Sequence, residues 1–330
     1  MNTPTHLPLR SSPTPDRAAP TPPHPSVRRR LLGAGAVASA TLVVVTGCAT
    51  SLPTSPSAEA SFEHVHGLGH DPVTGLTYAA AHTGVWVVPT NALPDTYPSH
   101  SAAEDDTDEG PIAGRMQDTM GFTITPEGVF YASGHPDPAE QNPAGPNLGL
   151  IRSTDAATTW ELVSLSGQTD FHDLSTAPLD DGTTRIYGYD AGGAGISRSD
   201  DSGTTWSTAA ALEIRDLTTD PELPNRVLAS TAEGLQVSDD GAESFRLVDG
   251  APLLYLVEST GDGAYVGIDV DGAVWTGSPE GDWSRHGNVT GAPEALAFVG
   301  GKDPWILAAD ERGVVASPDY GETWTVLRSS

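Results

Sequence analysis

One cysteine stands in the 330 residues, aromatic side chains make up 6%, and Lys and Arg number 16 against 44 Asp and Glu. A lone cysteine excludes an internal disulfide framework, so a folded domain must draw its stability from packing. The shortage of basic groups excludes the electrostatics that hold nucleic acid or anionic headgroups; cationic partners or metal ions are expected instead. Long amphipathic stretches are also missing. The 36 Gly and 28 Pro cut the chain into short runs, which argues against helical bundles and helical repeats.

The one extended apolar run, Leu31 to Val45, is too short to span a membrane and follows Arg28-Arg29-Arg30. With the Pro- and Thr-rich residues before it, it reads as an export signal over residues 1–47. Val45-Thr46-Gly47-Cys48 closes the run and resembles the lipobox of bacterial lipoproteins, in which cleavage frees a cysteine for lipid attachment. The arginines before Leu31-Leu32 also resemble a twin-arginine signal, with Val27 where Ser or Thr is usual. Residues 48–61 would then be lipidated Cys48 and a Ser/Pro/Ala-rich tether. The domain, residues 62–330, would sit on the outer face of the cytoplasmic membrane, as a monomer anchored through the lipid on Cys48. Without a leader of five arginines and one acidic residue, 11 basic and 43 acidic side chains remain, a net charge of −32.

What is present is a repeat. Ser199-Asp200-Asp201-Ser202-Gly203-Thr204-Thr205-Trp206 and Ser317-Pro318-Asp319-Tyr320-Gly321-Glu322-Thr323-Trp324 share the form Ser-x-Asp-x-Gly-x-Thr-Trp. Two copies are degraded: Ser153, Asp155 and Trp160 with Ala157 in the glycine place, and Ser238, Asp240 and Phe245 with Ala242 there. Ser278 to Trp283 reads as a shortened fifth. The aromatic ends at 160, 206, 245, 283 and 324 are spaced by 46, 39, 38 and 41 residues. A period near forty filled with short β-rich runs such as Ala264-Tyr265-Val266-Gly267-Ile268 selects a β-propeller of four-stranded blades. The motif suits a tight turn: Ser and Asp accept backbone N–H groups, Gly permits positive φ, and the aromatic packs between blades.

Six innermost strands align, beginning at His64, Asp118, Asp170, Glu213, Leu253 and Pro293. They predict an all-β, six-bladed propeller, with seven blades as the alternative, closing without strand exchange. The first blade lacks the turn motif and carries a long insert, Thr90 to Gly114, with the acid run Glu104 to Glu109. A weak calcium site there fits less well than a solvated loop. Asp269-Val270-Asp271-Gly272 reads as a hairpin turn rather than a calcium loop.

Propeller geometry sorts the histidines by face. His64, His66 and His172 open innermost strands, while His82 and His135 end second strands. All five therefore fall at the end of the ring opposite the Ser-x-Asp turns, in blades one to three, with Asp118, Asp170, Asp173 and Met120 beside them. Imidazoles meeting at one opening are suited to copper or zinc. The alternative is that they bond backbone carbonyls and plug the channel. Asp118, Asp170, Asp173 and Asp216, with Glu213, are candidates for a catalytic carboxylate pair on the same face.

The repeated turn resembles the Asp box of bacterial neuraminidase repeats, found in sialidases, sortilin-type receptor domains and a photosystem assembly factor. Segments such as His64-Val65-His66-Gly67-Leu68, Asp118-Thr119-Met120-Gly121-Phe122 and Ala132-Ser133-Gly134-His135-Pro136 resemble more narrowly a set of bacterial lipoproteins labelled glycosyl hydrolases. The resemblance implies a propeller fold and an exo-acting, sialidase-like hydrolase as one reading. A sialidase needs three channel arginines, and only Arg215 opens an innermost strand here. A module that binds a metal, protein or glycan ligand is therefore the leading expectation, with a glycoside hydrolase as the alternative.

Overall fold

The computed structural model describes residues 63–98, 110–140, 144–193 and 195–329. All belong to the compact unit Pro56–Ser330. The leader, Cys48, the tether and the acid run at 104–109 lie outside the described residues.

Within that unit the chain is a six-bladed β-propeller. Blade 1 is β1 (Val65–His70), β2 (Thr77–Ala81) and β3 (Gly84–Val88). Blade 2 is β4 (Asp118–Ile124), β5 (Phe130–His135), β6 (Leu150–Ser153) and β7 (Glu161–Ser164). Blade 3 is β8 (Phe171–Pro178), β9 (Thr184–Asp190), β10 (Gly195–Ser199) and β11 (Ser207–Thr208). Blade 4 is β12 (Asp216–Asp220), β13 (Leu223–Thr231), β14 (Gly234–Ser238) and β15 (Arg246–Leu247). Blade 5 is β16 (Leu254–Ser259), β17 (Tyr265–Asp269), β18 (Ala273–Gly277) and β19 (Ser284–Asn288). Blade 6 is β20 (Ala295–Val299), β21 (Trp305–Asp310), β22 (Gly313–Ser317) and β23 (Thr325–Arg328). Every neighbouring pair within a blade is antiparallel.

Four strands are expected for every blade, and blade 1 departs from this with three among the described residues. Among its described residues the insert after β3 forms no strand. It sends Tyr97 inward instead, where the ring is 3% exposed and packs edge-on against Trp305 of blade 6.

The middle strands are covered by neighbouring blades on both faces, which is why they read as continuous apolar runs. β2, β21 and β22 are buried at every residue, whereas β11 and β15, at the rim, are exposed at both of theirs. The core is accordingly divided into six clusters, one per blade junction. Burying a side chain such as Phe130 or Ile186, at 0% exposed, contributes about 2–3 kcal/mol. Where innermost strands of adjacent blades pack closest, single positions admit only glycine. A Cβ on Gly67 would lie 3.0 Å from Cβ of Phe122, and one on Gly121 would lie 2.7 Å from the Phe171 carbonyl oxygen.

Ring closure brings β20 against β1, while β23 pairs with β22 of its own blade, so among the described residues no strand is exchanged. Glu294, just before β20, accepts the Val65 N–H at 3.0 Å across that seam. Two other junctions have the same device. Asp173 of β8 accepts the Leu217 N–H and Asp216 of β12 accepts the Val257 N–H, both at 2.6 Å.

The four Ser-x-Asp turns form one structure, degraded copies included. Each serine hydroxyl donates to the aspartate Oδ1 at 2.7–2.8 Å. Each Oδ1 also accepts the N–H of Thr159, Thr205, Ser244 or Thr323 at 2.8–3.0 Å, and Oδ2 accepts the hydroxyl of the same residue. Two successive residues take positive φ in every copy: Ala156 and Ala157, Ser202 and Gly203, Gly241 and Ala242, Tyr320 and Gly321. The aromatic ends reach the neighbouring blade, since Trp206 Nε1 donates to Ser164 Oγ and Trp324 Nε1 to the Asn288 carbonyl. Ser278 to Trp283 does not share this pattern. Its turn is closed by a bond from Gly281 N–H to the Ser278 carbonyl, whereas three of the four copies close on the aspartate carbonyl, and Glu280 stands where the aspartate would be and pairs with Arg226. Asp269 forms the expected hairpin turn, accepting the Asp271 and Ala273 N–H groups and Trp275 Nε1–H.

Candidate functional site

A single-residue irregularity aims the central side chains. The β1–β2, β4–β5, β8–β9 and β16–β17 ladders each slip by one residue, between Val65 and Gly67, Thr119 and Gly121, Phe171 and Asp173, and Leu254 and Leu256. The extra residues are His66, Met120, His172 and Tyr255. A bulge of this kind bends a strand and re-aims the side chain at the bulge. His66 and His172 line the central cavity of about 150 Å³ together with Arg215 and Glu294. Arg215 lies over the Tyr255 ring, 4.4 Å from its centroid.

At the mouth above this cavity the five expected histidines assemble. His66 and His82 ring centroids are 4.5 Å apart, His64 and His66 are 4.8 Å apart, and His64 and His82 are 5.8 Å apart. Asp118 draws three of the group to itself: Oδ1 lies 2.8 Å from His82 Nδ1 and 3.8 Å from His66 Nε2, and Oδ2 lies 3.1 Å from His135 Nδ1. Asp170 Oδ2 lies 3.4 Å from His135 Nε2 and 3.1 Å from His172 Nε2. His64 Nδ1 meets Glu294 at 3.0 Å. The network therefore runs from the closing seam through blades 1 and 2 into blade 3.

His66 Nε2, His82 Nδ1 and Asp118 Oδ1 all lie within 4.8 Å of one another. Their separations of 3.3, 2.8 and 3.8 Å bracket the spacing of about 3.3 Å between neighbouring corners of a tetrahedral site with bonds of about 2.0 Å. His66 is the deepest of the three, 11% exposed. Burial first, then the neighbouring His82 and His64, lowers its pKa to about 4, so the ring is neutral at physiological pH and keeps a lone pair. His172 is shifted the other way, upward, by its hydrogen bond to Asp170.

The carboxylates divide into two groups. Asp118 and Asp170 stand among the imidazoles on the rim. Asp173 and Asp216 lie inside, each tying one blade to the next, and burial raises both above the ordinary carboxylate range, Asp173 most strongly because Asp216 faces it. Glu258 joins them in the cavity lining, where water reaches it but protein encloses it; burial and the charge of Asp216 push it up to about 8. Glu213 makes no contact that would pair it with these groups among the described hydrogen bonds. His70 stacks edge-on against Tyr97, and His286 bonds Thr276 Oγ1 and stacks on Tyr320, both away from the cluster. Glu294 and Glu258 are the site residues without a role in the sequence reading. Glu294 had a signal, its place at the head of an aligned strand; Glu258 had none.

No protein-family model matches the chain, and no curated protein matches it. Solved structures with similar folds include a GH74 enzyme from Niastella koreensis, at 16% identity over 79% of this chain and 45% of that one, TM-score 0.54. A gluconolactonase from Xanthomonas campestris is similar at 12% identity over 78% of this chain and 86% of that one, TM-score 0.52. A GH74 xyloglucanase from Xanthomonas campestris gives 19% identity over 79% of this chain and 45% of that one, TM-score 0.48. This chain thus spans under half the length of the GH74 proteins. At such identities the likeness is one of fold.

Proposed function

We propose that the protein is an exported, lipid-anchored propeller that binds a divalent transition metal, copper or zinc, through His66, His82 and Asp118, and serves as a binding or assembly module. The observation that carries this reading is the convergence of two imidazole nitrogens and a carboxylate oxygen at coordination spacing, one of the imidazoles buried and neutral. Nitrogen and oxygen donors without a thiolate suit Cu²⁺ and Zn²⁺, whereas a calcium ion needs six to eight oxygens and finds few here. His64, its ring against both His66 and His82, shields the site from the seam side. The anchoring part of the reading is supported by Cys48 behind an apolar run, and the extracytoplasmic location follows from it. The Asp-box kinship is supported by four turns with one bonding pattern.

The full chain, purified without an affinity tag and dialysed against Zn²⁺ or Cu²⁺ before desalting, should retain at least one metal ion per chain. The His66→Ala, His82→Ala variant should lose it. Retention below about a tenth of an ion by the unaltered protein overturns the reading.

A glycoside hydrolase is the second reading, favoured by Asp118 and Asp170 standing on one rim with His135 between them. Turnover of chromogenic glycosides, lost on Asp118→Asn or Asp170→Asn, would support it. Against it, both carboxylates are engaged by imidazoles, and Asp173 and Asp216 are committed to blade junctions.

A further inference from the structure

We infer that a cleft at the turn end of the ring, between blades 5 and 6, takes a guanidinium group from outside the chain, the arginine side chain of a basic protein partner. The inference deepens the binding-module part of the reading above and needs no metal, so failure of the metal site would leave it standing. It starts from two internal arginines. Arg185 of β9 spans the junction of blades 3 and 4: its Nε donates to Asp200 Oδ1 at 2.6 Å, and its Nη1 donates to the Pro224 carbonyl at 3.2 Å and to Asn225 Oδ1. Arg226 of β13 does the same between blades 4 and 5. Its Nε donates to Asp239 Oδ1 at 2.7 Å, and its two terminal nitrogens donate to Glu280 at 2.9 and 3.3 Å. Each guanidinium thus closes a junction by joining the turns of two blades.

Both arginines hold one place in their ladders. The residues after them, Ile186 and Val227, pair with Thr176 and Thr219, two positions beyond Leu174 and Leu217 of the innermost strands. In blade 5 the matching residue is Tyr265, paired with Ser259 two positions beyond Val257. Leu217 and Val257 are matched in turn by the bonds they donate to Asp173 and Asp216 of the preceding blades. The residue before Tyr265 is Ala264, and its methyl group cannot reach across. The junction of blades 5 and 6 is accordingly open, as a cleft of about 550 Å³ with Ala264 in its wall.

The rest of the wall fits the missing group. Asp262 and Asp282, both exposed, line the cleft with Thr276 and the rings of Phe298 and Tyr320, and among the described residues no lysine or arginine lines it. A guanidinium bonds carboxylates along its edge and lies against aromatic rings with its face, whereas an ammonium is a point charge that is more strongly hydrated. An anion would be repelled. Tyr320 adds a separate observation. It takes φ 52° at a turn position where the other three copies have Ala156, Ser202 and Gly241. Left-handed backbone is unfavourable for a bulky side chain, and the turn is held by Ser317 and Asp319 without help from the ring. The ring instead lines the cleft and stacks on His286, with centroids 5.3 Å apart. With 44 acidic against 16 basic side chains, the chain draws a basic partner toward such a surface.

The experiment is an NMR titration of the full, metal-free chain with Nα-acetyl-arginine amide, paralleled by the lysine amide and by the amide of citrulline, which has nearly the shape of arginine without its charge. The arginine amide should shift the backbone amides of Ala264, Thr276 and Tyr320 to saturation and leave those of His66 and His82 in place. Citrulline amide should bind about tenfold more weakly, and lysine amide about threefold more weakly. Ala264→Arg supplies the guanidinium from within, and should weaken the arginine amide by about tenfold. Absence of a saturable shift at the cleft overturns the inference, as does equal binding of citrulline amide or of lysine amide. Undiminished binding to Ala264→Arg overturns it too, because the ligand then sits elsewhere. If that variant does not fold, the comparison of the three amides on the unaltered protein still decides.

Discussion

The two ends of the ring use aspartate in opposite ways. At the turn end, Asp155 and Asp240 are exposed and Asp201 is half-buried, all three are wrapped in donors, and the hydroxyl and N–H of the residue four positions on hold their pKa values down, Asp240 to about 2. Toward the other end, Asp173 and Asp216 are enclosed, and burial drives them up, with Glu258 carried to about 8. One residue type is made a better anion by local hydrogen bonds and a poorer one by the convergence of six blades on an axis. At the turn end the same bonds recur four times, as a structural element should. At the histidine end corresponding positions hold His66, Met120, His172, Arg215 and Tyr255, so no one residue type recurs around the ring.

The largest effect should come from attacking the histidine end alone. Removing two of three ligands with His66→Ala, His82→Ala should weaken Zn²⁺ binding by at least a hundredfold, about 2.7 kcal/mol, in a competition with a chromogenic chelator. Metal-free thermal stability should scarcely change. Attacking the turn end should do the reverse. A Cβ on Gly203 would lie 2.1 Å from Leu150 Cδ2, at φ +86°. Gly203→Ala should therefore cost about 2 kcal/mol in urea unfolding and leave metal binding intact.

The enclosed carboxylates set the alkaline side of the stability profile. Glu258 is raised from 4.5 to about 8, so between those values the folded protein keeps a proton that the unfolded chain has released. Stability falls as pH rises through that window. Glu258→Gln should gain on the unaltered protein by about 1–2 kcal/mol at pH 9, and by nothing at pH 4. Asp240 works on the acid side with the opposite sign: its contribution is present above about pH 4 and is lost as pH falls toward 2. Asp240→Asn should flatten that acid limb. The smallest effect is a gain. Ala157 holds φ 64° where two sister turns have glycine, and Ala157→Gly should stabilise by about 0.5 kcal/mol in the same unfolding assay.

Much of the ring was legible because its cause is periodic. A turn every forty residues and innermost strands that align on one another specify six blades, and strand direction alone assigns His64, His66, His82, His135 and His172 to one end. That blade 1 has three strands among the described residues was not legible, since an insert without alternation looks the same whether or not a strand lies within it. The bulges were hidden for a different reason: the innermost strands align with each other, and the extra residue shows only against the partner strand. Ala157 and Ala242 looked like decay of the motif, yet the serine and aspartate bonds suffice to hold the left-handed backbone. Glu258 follows its strand as an ordinary polar residue, and only the closing of the ring encloses it.

The seam between blades 6 and 1 has a mechanical consequence. Many toroids latch their ends by lending a strand from one terminus to the first sheet; here, among the described residues, the junction has side-chain packing, the Glu294 to Val65 bond and the His64 contact. Blade 1 is therefore the natural gate for breathing motions, and amide exchange in β1 should outpace that in β12. An ion bound to His66 and Asp118 would span blades 1 and 2 beside that gate, acting as a clasp on the first element to let go.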